Sequence, residues 1–461
     1  MIMMLILVLG VAAVLVRELS ARTGTAARID ANAAALAQAR EALLGYASTY
    51  DASHPGRFGL LPCPDLDAAG SFAEGEAHDS ACLARYRSVI GRFPWKSVGV
   101  NPARGETDEC LWYAVSGTWK AASAALPELH NPDSNGQFRV YAGDGSTRVA
   151  GERPAERAVA VIIAPGSALS GQLRTTLGAG VEHCAGSYSA ARYLDADGAS
   201  GIDNSDLAAA ADAIDDFIGA SPGREDVNDQ LIYITRAELE ERLLRRADLQ
   251  AKLRSLTEAA AQCVAQFGRS NAGGPGDRRL PWPAPVSLAS YRADNRYDDS
   301  AMGWLSGRLP DRVDDSSAQT GNPLTQLLTN CSPVAVPAWT PELLALWRNW
   351  KDHLFYAVAG SFRPDALPHS SCGDCLSVNG AGSWAAVVMF AGPRLDALDQ
   401  VRDEPPADAD TRGVIGNYLE GRNAANHPDT GGNADYESGA PGPTFNDVLF
   451  CIDVNLGVAP C

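Results

Sequence analysis

Positive charge is in short supply in this sequence. Across 461 residues, Lys and Arg total 38 against 56 Asp and Glu, a formal net charge of −18. That balance argues against nucleic acid as a partner, because neutralising phosphates takes clustered Lys and Arg. It equally disfavours adsorption to anionic lipid headgroups; an acidic surface mostly means solubility. Catalytic signatures are missing as well. "APGSALSG" puts Ser167 after an apolar stretch without the G-x-S-x-G elbow. No glycine-rich phosphate loop leads from a strand into a helix. The seven histidines (His54, His78, His130, His183, His353, His369 and His427) are scattered, with no paired acid at a telling spacing. The chain therefore reads as non-enzymatic, with no cofactor.

Long apolar runs are also absent, with one exception. "MIMMLILVLGVAAVLV" runs from Met1 to Val16. At about 1.5 Å per residue it reaches ~24 Å, a little short of the roughly 20 residues that usually span a bilayer. It has no polar face, no Lys or Arg, and a poor cleavage site in "LVRELSAR". A retained transmembrane anchor over residues 1–20 is the leading expectation; a cleaved signal and a buried core helix are the other two readings. No proline interrupts Arg17 to Ala47, and Ile29, Leu36 and Leu43 recur every seven residues. The expectation is one long rod, apolar all round at first and amphipathic afterwards.

What is present twice is more informative. "LWYAVSG" at 111–117 and "LFYAVAG" at 354–360 share five of seven residues. Their flanks match in order: "LPCPD" at 61–65 with "LPWPA" at 280–284, "GRFPW" at 91–95 with "GRLPD" at 307–311, and "AVAVIIAPGSAL" at 158–169 with "AAVVMFAGPRL" at 385–395. "YLDADG" at 193–198 then matches "YLEGRN" at 418–423, and "NDQLIYIT" at 228–235 matches "NDVLFCID" at 446–453. The shift is nearly constant, so the chain is a tandem duplication, with units over 21–235 and 236–461. In the second, Thr235 and Glu238 form a capping box ahead of a helix whose stripe is Leu249, Leu253, Leu256, Ala260, Cys263 and Phe267. The prolines of "LPCPD" and "LPWPA" demand extended corners. The repeated apolar runs read as strands, those at 158 and 385 as central ones.

The ten cysteines are an even set lying largely in loops rich in Pro, Gly and Asp, which suits disulfides in an oxidising compartment. Cys63 with Cys82 is the best single bridge. "CGDC" places Cys372 beside Cys375, which could be a redox pair or, with His369, part of a zinc site; cross-links to neighbouring loops are preferred. "DADGASGIDNSD" offers Asp195, Asp197, Asp203 and Asp206 as oxygen donors for calcium, although no Glu closes an EF-hand loop; a solvated acidic turn is the plainer reading.

The ordered set "REALLGYA", "LPCPD", "GRFPW", "LWYAVSG", "AVAVIIAPG", "GQLR", "YLDADG" and "NDQLIYIT" behind an apolar N-terminal helix resembles the type IV pilin and pseudopilin (prepilin-type) membrane proteins. The resemblance implies an α+β fold of two tandem pilin-like units, each a long N-terminal helix on a small antiparallel sheet, the first helix beginning as a transmembrane segment. It implies a single-pass inner-membrane protein with its globular part periplasmic or extracellular. Its partners would be the bilayer and other pilin-like subunits, and its role that of a minor or priming component of a type IV pilus or type II secretion pseudopilus. By the same resemblance, Cys451 and Cys461 would pin the C-terminus as a terminal loop disulfide does in many pilins. An adhesive or chaperone-like binding protein is the alternative. Prepilins carry a basic leader, a glycine at the processing point and a glutamate five residues into the mature helix. None of these is seen here, which fits an anchor kept unprocessed or a start lying upstream.

Overall fold

The computed structural model describes residues 30–461 except 67–72, 79–81, 83, 85, 103–108, 122–129, 175–182, 185, 222–223, 225, 271–277, 293–296, 301–302, 314–326, 330, 367–371 and 403–410. The expected anchor over 1–20, the start of the rod behind it and His369 lie outside the described residues. Contacts divide the chain into two units. Unit 1 comprises Met1–Tyr50, Gly59–Leu126 and Asn135–Leu239; unit 2 comprises Asp51–Phe58, Pro127–Ser134 and Glu240–Cys461.

In unit 1, helix α1 covers residues 30–49. Leu36, Ala39, Leu43, Leu44 and Ala47 are buried on it, the three-and-four spacing of an amphipathic helix. Arg40 ties it to β9 by donating to the Tyr233 carbonyl at 3.3 Å. The strands are β1 (Val89–Arg92), β2 (Trp112–Val115), β3 (Phe138–Tyr141), β4 (Arg148–Ala150), β5 (Ala158–Ala164), the short pair β6 (Ala196–Asp197) and β7 (Ile202–Asp203), β8 (Asp215–Ile218) and β9 (Gln230–Thr235). Seven of them make one sheet in the order β1-β2-β5-β3-β4, with β9 paired to β5 and β8 to β3. Strand β5 reads AVAVIIA and all of it is buried, as a strand covered on both faces must be. Trp112, Phe138, Val161, Ile163, Tyr193 and Phe217 form the core against it.

In unit 2 the helices are α2 (Arg236–Leu244), α3 (Ala247–Ser270), α4 (Pro341–Trp350) and the short α5 (Gly421–Ala425). The unit boundary falls within α2, after Leu239. The Thr235 capping box forms: Thr235 N donates to Glu238 Oε2 at 3.0 Å, and Glu238 N donates to Thr235 Oγ1 at 3.4 Å. The helix expected to run on unbroken from Arg236 is interrupted after Leu244, and α3 then buries all six residues of the predicted stripe. It packs on β13, β15 and β16. The strands are β10 (Ser306–Arg308), β11 (Leu354–Val358), β12 (Leu376–Val378), β13 (Ala381–Phe390), β14 (Asp435–Tyr436), β15 (Val448–Asp453) and β16 (Val458–Pro460). They form a second seven-stranded sheet in the order β10-β11-β13-β12-β14, with β15 between β13 and β16.

The expected pilin-like architecture does not hold. Each unit is organised around a large seven-stranded sheet. Unit 1 opens, within the described residues, on a short amphipathic helix rather than a long apolar one. No helix among the described residues is long and apolar enough to cross a membrane. The error has a physical origin: turns and two-residue strands contribute sheet edges that no hydrophobic run announces, so counting runs undercounts strands. The duplication itself is visible in the backbone. The pairing β1-β2-β5-β9 recurs as β10-β11-β13-β15. Tyr113 Oη donates to the Pro62 carbonyl at 3.2 Å, as Tyr356 Oη does to that of Pro281.

Candidate functional site

One set of polar groups recurs in both units. After β5, Gln172 Nε2 donates to Asp195 Oδ1 (2.9 Å) and to the Leu194 carbonyl (3.1 Å). Arg174 donates to the carbonyls of Gly166 (2.8 Å) and Tyr193 (3.2 Å). Asp195 Oδ2 accepts from the backbone of Asn228 (2.6 Å) and Asp229 (2.9 Å). In return Asp229 Oδ2 accepts from Asp195 N (2.7 Å) and Asn204 Nδ2 (3.0 Å). Two buried carboxyls thus cap each other's backbone and lock three loops together.

Unit 2 repeats the lock with its own residues. Gln400 donates to Glu420 Oε1 (3.0 Å), and Arg402 to the Gly392 carbonyl (3.0 Å). Glu420 Oε2 accepts from Asn446 N (3.0 Å), while Asp447 Oδ2 accepts from Glu420 N (3.1 Å) and Asn423 Nδ2 (2.9 Å). Burial, reinforced by Asp195, pushes the Asp229 carboxyl up to about 7. Burial with Glu420 beside it likewise drives Asp447 well above the carboxylate range. Two acids this close and this dry share a proton rather than both ionise.

The copies diverge immediately before the repeated strand. Unit 1 has Cys110 there, bridged to Cys184; unit 2 has His353, fully buried. Its Nε2 lies 2.8 Å from Asp133 Oδ2 and its Nδ1 lies 2.9 Å from the Ala391 carbonyl. The ring stacks on Phe390 at 5.5 Å and meets Trp350 edge-on at 4.9 Å. Asp133 also faces Arg402 (3.4 Å) and Arg394 (3.5 Å), and Arg394 pairs with Glu240. Burial pushes the Asp133 carboxyl up, but Arg402, His353 and Arg394 outweigh it and hold the group well below its usual range. Asp352 accepts from Asn131 Nδ2 (3.0 Å) and Tyr418 Oη (3.4 Å), and burial raises it. The Arg308 guanidinium donates to the backbone carbonyls of Asp352 and Arg412 and lies over Tyr418 at 4.7 Å.

Asp133, Asp352 and His353 each bring a potential ligand atom within 4.8 Å of the other two. The set does not fit a metal ion. Arg402 and Arg394 already face Asp133, Arg308 stands beside Asp352, and a divalent cation would have to displace this positive charge. Ser134, next in the chain to Asp133, shares a hydrogen bond between its hydroxyl and that of Tyr291. Every member is buried, so the cluster works internally.

The residues singled out from the sequence fall as follows. Asp195 belongs to the unit 1 lock. Asp197 pairs with Arg224 at 2.8 Å, and Asp203 Oδ1 accepts from Ser205 N at 2.8 Å. Asp206 donates its backbone N–H to the Asp203 carbonyl at 3.3 Å. The four are not gathered round a common point. Cys63 joins Cys82 and Cys451 joins Cys461; Cys372 and Cys375 join each other rather than neighbouring loops, and Cys263 joins Cys331. Sequence reasoning missed Asp133, Asp352, His353 and Arg402. It also missed Gln172, Arg174 and Asp229, although "QLR" at 172–174 recurs as "QVR" at 400–402. The chain matches no protein-family model, no curated protein and no solved structure.

Proposed function

We propose that this protein is a non-enzymatic assembly component of an oxidising, extracytoplasmic compartment, held to the inner membrane by its apolar head. In the narrower form it serves a type IV pilus or type II secretion apparatus, where the head packs among the helices of pilin-like subunits. The observation that carries the reading is the pairing of all ten cysteines into five bridges, an economy suited to secreted and periplasmic proteins. A second support is that the buried acids and arginines described above bond loop backbone and so hold loops together. The narrower assignment rests on the resemblance to prepilin-type proteins carried by the ordered motifs from "REALLGYA" to "NDQLIYIT" behind the apolar head.

Deleting residues 1–16 tests it. Loss of membrane fractionation together with loss of piliation or secretion is the expected result. A released protein that leaves both processes intact, and still binds its target, would favour the adhesive or chaperone-like alternative.

A further inference from the structure

Unit 1 contains a cavity of about 330 Å³ lined by Ala84, Arg87, Ser88, Val89, Ile90, Lys120 and Leu207. That is at the lower end of the roughly 300–1,000 Å³ typical of small-molecule sites. Lys120 is one of only four lysines in the chain, with Lys96, Lys252 and Lys351. It is 3% exposed, and its Nζ has no hydrogen-bond partner among the described residues. Burial, with Arg87 adding to it, pushes its amine down to about 8. Arg87 is exposed and its guanidinium likewise has no acidic partner among the described residues. Two cations at one cavity with no partner among the described residues, in a chain with an 18-charge acidic excess, call for an anion: a buried ammonium without a counter-charge is costly.

The cavity wall is held in place before any ligand arrives. Ser116 O accepts from both Trp119 N (3.0 Å) and Lys120 N (3.1 Å), and Leu61 clamps the same turn by donating to Trp119 O (2.8 Å) and accepting from Ala121 N (2.7 Å). Any side chain at Gly117 would overlap the Tyr86 and Arg87 backbone, so the two cation-bearing segments run in direct contact. The Tyr86 carbonyl is fixed by Asp212 N (2.8 Å) and Gln137 Nε2 (2.9 Å). Unit 2 supplies the control. There Leu280 N donates to Phe362 O (2.8 Å) as Leu61 N does to Trp119 O, which makes Arg363 the counterpart of Lys120. Arg363 is exposed and paired with Asp365 at 2.8 Å.

We propose that this unit 1 cavity binds a small organic carboxylate. The carboxylate lies between Lys120 and Arg87 and accepts from the Ser88 hydroxyl, while the apolar body lies against Val89, Ile90 and Leu207. The Ser88 oxygen already accepts from Gly117 N (3.4 Å), which leaves its proton free to donate.

The test is calorimetric titration of the full-length chain with hexanoate, benzoate and inorganic phosphate, and with anionic phospholipid vesicles in a separate arm. Saturable binding of hexanoate or benzoate is expected. Lys120→Met should weaken it at least tenfold, Arg87→Gln severalfold, and Arg363→Met not at all. An independent readout is thermal unfolding: saturating benzoate should raise the Tm of the unsubstituted chain by binding the folded state, and raise that of Arg87→Gln less. Binding of phosphate or vesicles alone would overturn the assignment, as would no carboxylate binding or undiminished binding by Lys120→Met. If Lys120→Met fails to fold, the exposed Arg87→Gln decides, by its weakened titration and its smaller Tm shift; an undiminished shift overturns the proposal.

Discussion

Position 353 shows how one residue can redirect a fold's internal chemistry. Where unit 1 uses the covalent Cys110–Cys184 bridge, unit 2 uses an imidazole surrounded by arginines and acids. Breaking one partner of a buried ion cluster leaves the others uncompensated, at a cost of roughly 3–5 kcal/mol. Asp133→Asn should therefore destabilise the protein by about that amount in urea denaturation, and a change below ~1 kcal/mol would remove the cluster's structural role. The two kinds of buried acid respond oppositely to pH. Asp133 titrates below its unfolded value, so its contribution is complete above the ordinary carboxylate range and is lost in acid. Asp229 titrates at about 7, above its unfolded value, so its contribution is full in acid and is lost as pH rises through neutrality. Between about pH 4 and 7, from its unfolded to its folded value, this carboxyl should lower stability by up to about 1.4 kcal/mol per unit. Asp229→Asn should flatten that slope, which thermal unfolding across the range will measure.

At the scale of elements, the repeated lock depends on glycines at the ends of the central strands. Gly166 follows β5 and Gly392 follows β13, and in each copy a Cβ would overlap the side-chain oxygen of the paired asparagine, Asn228 or Asn446. Each asparagine donates to the adjoining loop, Asn228 to Ser167 O (2.8 Å) and Asn446 to Pro393 O (2.6 Å). Gly166→Ala and Gly392→Ala should each push that amide out of place and cost about 1–3 kcal/mol by overpacking. The comparison glycine is Gly45, exposed on α1 with nothing near its Cβ position, where alanine should be neutral or mildly stabilising. Equal effects at all three positions in chemical denaturation would contradict this reading. The repeated words "YLD/YLE" and "ND" marked where the carboxyl half of the lock lies, but not that its acids are buried and meet. The glycine half was not legible, because a close approach leaves no mark in one sequence.

For the whole molecule, the bridges are the most direct check. Peptide mapping without reductant should return Cys63–Cys82, Cys110–Cys184, Cys263–Cys331, Cys372–Cys375 and Cys451–Cys461. Replacing both Cys110 and Cys184 with serine should cost about 2–5 kcal/mol, since that bridge closes a long loop. Thermal unfolding of the double variant measures the loss.

The sequence on its own determined that the chain is a duplication, that 158–164 and 385–390 are central strands, and that 249–267 presents one apolar stripe. These follow from periodicity and from repeated words, which are local properties. It misdirected the fold class, because the same runs fit a small sheet under a long helix as readily as a large sheet with short edges. Only the tertiary structure decided which acids face arginines, which face other acids, and which cations face none. Asp133 meets His353 from 220 positions away, and such meetings are set by chain closure in space, where burial turns unremarkable polar residues into strongly coupled charges.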